Sequence, residues 1–224
     1  MPTPTIVFDL DGTLIDTAPD LVDTLNIVFA REGLPPVPYQ TARALIGGGA
    51  RAMISRGLAA EGRALTPDKL EQLFADFIAY YSAHIADRSR PFSGLERALD
   101  QLAARNFRLA VCTNKLERLS VRLLESLGLA ARFAAICGQD TFGVQKPDPA
   151  ILLRTIAAAG GRVEHAIMIG DSGTDVHTAR AAGVPIIAVD FGYSERPVAE
   201  FRPDRIIGHF DDLADAIAQL FPEK

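Results

Sequence analysis

The stretch Thr5-Ile6-Val7-Phe8-Asp9-Leu10-Asp11-Gly12-Thr13 decides how this chain folds. Residues 5–8 form a short, β-rich, largely apolar run that stops at Asp9 and Gly12. Such a run reads as a buried strand ending in a polar turn. The form recurs downstream. Residues 109–112 stop at Thr113-Asn114, and residues 166–169 stop at Gly170-Asp171. Residues 133–137, 185–189 and 205–207 are further strand candidates. Continuous apolar strands of this kind belong to parallel sheets covered on both faces.

Helical patterns lie between these runs. Leu95, Ala98, Leu99 and Leu102 share one helical face. Leu116, Leu119, Leu123 and Leu127 share another, with Gly128 placed to end that helix. Residues 149–159 and 174–182 also read as helices, ending at Gly160 and Gly183. The alternation predicts an α/β fold with a doubly wound, Rossmann-like core and a parallel sheet.

Residues 16–86 break the alternation, with no convincing strand. Leu70, Leu73, Phe74, Phe77, Ile78 and Tyr81 form an i, i+3, i+4, i+7 stripe, read here as core packing. Thr66 and Pro67 suit the start of that helix. Residues 20–30 form another helix, and Gly47-Gly48-Gly49 is a flexible break between the two. We therefore expect an α-helical cap at residues 16–88, inserted after the first strand. Its hinges fall near Asp16 and Arg88, and the core comprises residues 1–15 and 89–224.

Composition narrows the function classes. The 224 residues are 48% hydrophobic and 23% charged, with a net charge of -5. Acidic and basic residues are interspersed, which argues against a nucleic-acid partner, since that needs a basic face. No stretch approaches the ~18 apolar residues of a membrane span. Cys112 and Cys137 sit in apolar runs and read as buried core thiols. The N-terminus has no basic, signal-like region. The expectation is a cytoplasmic protein, monomer or homodimer.

The polar strand ends carry the chemistry. In open α/β sheets, ligands bind beyond the carboxyl ends of the strands, so Asp9, Asp11, Thr113, Asn114 and Asp171 should converge. Lys146, in Gln145-Lys146-Pro147-Asp148-Pro149, adds a cation. Clustered carboxylates repel unless a cation sits among them, and oxygen ligands suit Mg²⁺. Mg²⁺ and Lys146 would neutralise a phosphoryl group so that an anionic nucleophile can approach. Thr113 and Asn114 can donate hydrogen bonds to its oxygens. Thr113 could instead cap the helix that follows it, and Asp148 reads as a turn or cap residue.

Asp9-Leu-Asp-Gly-Thr13, Cys112-Thr-Asn-Lys115, Lys146-Pro-Asp-Pro149 and Gly170-Asp-Ser-Gly-Thr-Asp175 stand in the order of the four motifs of the haloacid dehalogenase superfamily. The chain resembles that superfamily from Asp9 to Asp175. The resemblance implies roles residue by residue. Asp9 is the nucleophile that forms an aspartyl-phosphate, and Asp11 the general acid and base. Asp11 also offers its backbone carbonyl to Mg²⁺, alongside Asp9 and Asp171. Thr113, Asn114 and Lys146 bind the phosphate. Asp175 lies near the metal or positions Lys146.

Within the superfamily, Asp11 favours phosphoryl transfer, because dehalogenases lack that second acid. A phosphonate hydrolase would need a cap lysine where Gly47-Gly-Gly-Ala-Arg51 stands. A mutase of the β-phosphoglucomutase type carries a histidine where this chain has Leu21. Ile46-Gly-Gly-Gly-Ala-Arg51, Phe191-Gly-Tyr193, Arg202-Pro-Asp204 and His209-Phe210 resemble the phosphoglycolate phosphatase branch. That implies 2-phosphoglycolate as a small anionic phosphorylated substrate. Relatives with similar caps hydrolyse pyrophosphate, sugar phosphates or nucleotides. Gly48 and Gly49 would bring backbone amides to the substrate, and Arg51 would pair with its carboxylate or lie on the surface.

Overall fold

The structure, a computed structural model, describes residues 3–60, 62–63 and 66–221. Residues 1–2 and 222–224 of the expected core, and 61, 64 and 65 of the expected cap, lie outside the described residues. The chain begins with β1 (Thr5–Phe8) and β2 (Ile15–Asp16). Helices α1 (Ala18–Arg31), α2 (Tyr39–Arg43), α3 (Ala50–Ala60) and α4 (Pro67–Ala83) follow. Then come β3 (Arg90–Pro91), α5 (Leu95–Ala104), β4 (Arg108–Cys112), α6 (Glu117–Ser126), β5 (Ala135–Cys137) and α7 (Pro149–Ala158). The chain closes with β6 (Ala166–Gly170), α8 (Gly173–Ala182), β7 (Ile186–Val189), β8 (Arg205–Ile207) and α9 (Leu213–Leu220).

The six-stranded sheet has the order β5-β4-β1-β6-β7-β8, and every pair in it is parallel. The chain runs out on one side of β1 and returns on the other. The switch point therefore lies at the carboxyl end of β1, where Asp9 stands. Successive strand residues face opposite sides. Ile6 and Phe8 join a core with Leu99, Leu123 and Ile217, from α5, α6 and α9. Val7 joins a second core with Ile151, Ile156 and Val176, from α7 and α8. Both faces are covered, which explains why the strands read as unbroken apolar runs.

The expected strands are present, some shorter than read. Residue 133 precedes β5, following a 3₁₀ turn at Ala130–Arg132. Its ring packs edge-on against Phe8 at 6.4 Å, so its hydrophobicity serves the core and not the sheet. Pro185 has no N–H to give a ladder, and β7 starts one residue later. Helix α4 starts as expected, with the Thr66 hydroxyl accepting from Lys69 N at 3.3 Å and Pro67 in the first turn. Helix α8 ends at Gly183, with φ 69°.

Among the described residues, 18–83 hold four helices and no strand, and both ends of this segment are pinned. Ile15–Asp16 pairs antiparallel with Arg90–Pro91, a ribbon too short to show in the sequence. Asp20, buried on α1, accepts from Arg88 N at 3.0 Å, Ser89 N at 2.8 Å and Ser89 Oγ at 2.6 Å. Removing that carboxylate strands buried donors, each costing roughly 1–3 kcal/mol. Asp20→Ala is expected to lower stability by about 2–4 kcal/mol. Urea unfolding should show this as a lower midpoint with unchanged slope.

Candidate active site

The turn after β1 brings its carboxylates to the switch point. Gly12 adopts φ 83°, and a Cβ there would lie 2.5 Å from Asp171 Oδ2. Only glycine permits this backbone conformation and this approach together. The loop after β7 closes on Asp171 as tightly, since a Cβ on Gly192 would lie 2.2 Å from the Asp171 Cβ.

Asp9 is buried, and its Oδ1 accepts from Leu10 N at 2.7 Å and Lys146 Nζ at 2.9 Å. Among the described residues no hydrogen bond engages its Oδ2. Burial raises its carboxyl to about 6, with Lys146 pulling down and Asp175 pushing up. Asp171 accepts from Thr13 Oγ1 at 3.1 Å and Tyr193 N at 2.6 Å. Burial, then the charges of Asp175 and Asp9, raise it to about 8.

Lys146 meets both sides of this cluster. Its buried Nζ lies 2.6 Å from Asp175 Oδ1 as well as 2.9 Å from Asp9. Burial opposes its charge, but Asp175 and Asp9 outweigh that and raise its pKa. Asp175 forms a capping box with Ser172 at the start of α8. Its Oδ2 accepts from Asp171 N, Ser172 N and Ser172 Oγ at 3.2, 3.1 and 2.7 Å.

Carboxylate oxygens of Asp9, Asp171 and Asp175 lie within 4.8 Å of one another. Three buried acids this close fit a divalent cation, whose charge would offset the repulsion that raises Asp9 and Asp171. Asp175 holds Lys146 on one oxygen and three donors on the other. Asp171 holds a single donor on each oxygen and Asp9 keeps Oδ2 unengaged among the described residues, so Asp9 and Asp171 are the better ligands. The Asp11 carbonyl accepts no hydrogen bond among the described residues and fits as a third oxygen.

Among the described residues Thr113 Oγ1 only accepts, from Lys115 N at 3.2 Å, so its O–H is available to donate to a phosphate oxygen. It does not cap α6, whose N-cap is Leu116. Asp148 caps α7, its side chain accepting from Ala150 N. Asn114 has only its backbone N–H to offer a phosphate, because its side-chain amide is engaged. Its amide donates to Gly47 O at 3.2 Å and Lys146 O at 3.1 Å, and accepts from Lys146 N at 2.8 Å. The side chain is thus a brace joining the Lys146 turn to the loop before α3, and cannot also donate to a phosphate.

Asp9, Asp11, Thr113 and Asn114 line one cavity with Gly47, Gly49 and Ala50. It encloses about 570 Å³ of space, open solvent at its mouth included. Gly48 and Arg51 do not line it. The Arg51 guanidinium donates twice to Glu71 at 2.7 Å and stacks 3.5 Å from the Phe74 ring centroid, which makes it a bracing arginine. The apolar stripe of α4, read only as core, also faces the cavity through Phe74, Phe77, Ile78 and Tyr81.

Two side chains escaped the sequence reading. Lys115 is buried, with its Nζ 2.9 and 3.1 Å from the Asp11 carboxylate, which Thr17 Oγ1 also engages at 2.8 Å. Tyr193 orients Asp171 through its backbone, and its hydroxyl donates to Asp16 at 2.5 Å and accepts from Ala18 N at 2.9 Å. Lys115 stood in a quoted motif, but its partner lies 104 residues away. No spacing signals such a contact.

Comparison with known proteins places the chain. A family model described as haloacid dehalogenase-like hydrolase matches residues 6–189. The phosphoglycolate phosphatase of Mesorhizobium japonicum is 48% identical over 219 residues, covering 98% of this chain and 96% of that protein. That of Caulobacter vibrioides is 47% identical, covering 96% and 91%. A crystal structure described as a predicted phosphoglycolate phosphatase from Haemophilus somnus 129PT superposes with a TM-score of 0.89 at 28% identity, covering 96% of this chain and 98% of that one. The strand order, the motif residues at the switch point and these matches agree: the chain belongs to the haloacid dehalogenase-like hydrolases.

Proposed function

We propose that the chain is a Mg²⁺-dependent phosphomonoester hydrolase that works through an aspartyl-phosphate on Asp9, with 2-phosphoglycolate as its substrate. One observation carries the reading: a buried carboxylate with one free oxygen, Asp9, shares a cavity with a second acid, Asp11, and contacts a buried lysine, Lys146. The names of the relatives support phosphoglycolate. The cap, residues 16–88, and the core, residues 1–15 and 89–224, are part of this proposal, with the β2–β3 ribbon as the hinge.

The chain's residues divide the work. Asp9 Oδ2 attacks phosphorus as the bond to the leaving oxygen breaks, and Asp11 gives that oxygen its proton. Water then attacks the phosphorus of the aspartyl-phosphate, Asp11 takes its proton, and Asp9 is released with inorganic phosphate. Lys146 and the Thr113 hydroxyl bind the phosphoryl oxygens, while Asp175 holds Lys146 in place. Bound between Asp9, Asp171 and the Asp11 carbonyl, Mg²⁺ would supply positive charge to the phosphoryl group. The helical cap excludes bulk water.

Leu21 lines the cavity where a mutase would need a proton-transferring histidine. Phosphate release from 2-phosphoglycolate should therefore far exceed conversion of β-glucose 1-phosphate to glucose 6-phosphate. Turnover of 2-phosphoglycolate no faster than that of pyrophosphate, nucleotides or an aryl phosphate would remove the glycolate assignment.

Metal binding should be linked to pH. Asp9 and Asp171 titrate higher in the folded protein, at about 6 and about 8, than in the unfolded chain. Their contribution to stability is full below the unfolded pKa of about 4 and is lost as pH rises through both folded values. A bound cation offsets that loss and competes with protons for the same oxygens. The rise in Tm on adding Mg²⁺ is expected to grow from about pH 5 to about pH 8. A rise that shrinks over that range contradicts this site.

A further inference from the structure

The cavity holds a cation that chemistry at Asp9 does not use. Lys115 lines it, 7% exposed, with its ammonium bound to Asp11 and 4.5 Å from the centroid of the Tyr81 ring. Tyr81 comes from α4 and is 1% exposed. Its hydroxyl is buried and has no hydrogen-bond partner among the described residues. Leaving a buried hydroxyl unpaired is costly, and this one belongs to a residue that lines the cavity. Among the described residues the three N–H donors of Lys115 face the two oxygens of one carboxylate and the ring and hydroxyl of Tyr81, with no well-formed hydrogen bond to that hydroxyl. Core and cap thus each present a donor to the same space.

The position fits one part of a substrate. If Asp11 protonates the leaving oxygen, Lys115, bound to Asp11, stands on the leaving-group side. The phosphoryl group already has Lys146. Leu21, Met53, Phe77 and Ile78 line the same cavity with apolar surface, and an ion pair is stronger in surroundings less polar than water.

We infer that Lys115 and Tyr81 form the subsite for a second anionic group, a carboxylate carried by the alcohol half of the substrate. One carboxylate oxygen takes a Lys115 N–H and the other takes the Tyr81 hydroxyl. The pair selects phosphomonoesters of hydroxy acids over those of neutral alcohols. The inference rests on the phosphatase reading and assigns its specificity to two residues.

The test compares kcat/KM for 2-phosphoglycolate and 2-hydroxyethyl phosphate, in which a hydroxymethyl group replaces the carboxylate. The wild type should prefer the first. Lys115→Met should cut that preference about 100-fold, while Lys115→Arg retains most of it. Tyr81→Phe should cut it about 5–10-fold, chiefly through KM. It should leave Tm unchanged or higher, because the lost hydroxyl has no partner. Equal slowing of both substrates in Lys115→Met, with the preference intact, overturns the subsite and leaves Lys115 as a positioning residue for Asp11. Should Lys115→Met fail to fold, an unchanged preference in Tyr81→Phe overturns it instead. A wild type without preference between the two esters also overturns it, with the phosphatase reading intact. A wild type that cleaves neither ester defeats both.

Discussion

Asp9→Asn is expected to lower phosphate release about 10⁴-fold or more while the protein stays folded. Loss of a nucleophile acting in concert with other groups typically costs that much, because the remaining groups have nothing to assist. The amide is close in size to the carboxylate, so the fit at the end of β1 survives. Lys146 still has Asp175 at 2.6 Å to satisfy its charge. The substitution also removes one of the acids that burial and mutual repulsion raise. Stability without metal should therefore hold or rise. Steady-state kinetics and urea unfolding of one preparation check both halves. An inactive protein that is also unfolded would not support the assignment.

Lys146→Met should fail in both measurements. Activity is expected to fall about 10³-fold, since the phosphoryl group and Asp9 lose the same counter-charge. Stability is expected to fall by about 3–5 kcal/mol, because removing one member of a buried ion pair strands the other. Here three acids, Asp9, Asp171 and Asp175, are buried together and left without the lysine. Adding Mg²⁺ should recover part of the stability but little of the rate, since a cation can offset the acids without replacing the ammonium beside Asp9. A variant as stable as wild type would contradict the paired geometry.

Much of the fold was legible because burial writes itself into sequence. Strands covered on both faces must be apolar throughout, and each polar stop after one, at Asp9, Thr113 or Asp171, marked a loop at the same end of the sheet. The short ribbon of Ile15–Asp16 with Arg90–Pro91 was not legible, since pairing across that separation leaves no local pattern. Candidate site residues were legible as types at strand ends. Their partners were not. Asn114 looked like a phosphate donor because amides can donate, but its three contacts depend on where Gly47 and Lys146 arrive. Arg51 was open between a carboxylate ligand and a surface arginine, and Glu71, on a different helix, engages its guanidinium. The α4 stripe showed its apolar face but not that the same face would wall a cavity.

The central claim is that Asp9 carries the phosphoryl group between substrate and water. Acid-quenched mixtures of enzyme, Mg²⁺ and ³²P-labelled 2-phosphoglycolate, digested and analysed by mass spectrometry, test it most directly. The account predicts label on Asp9 in the wild type and none in Asp9→Asn. Label on another residue, or an Asp9→Asn variant that still turns over, would contradict it.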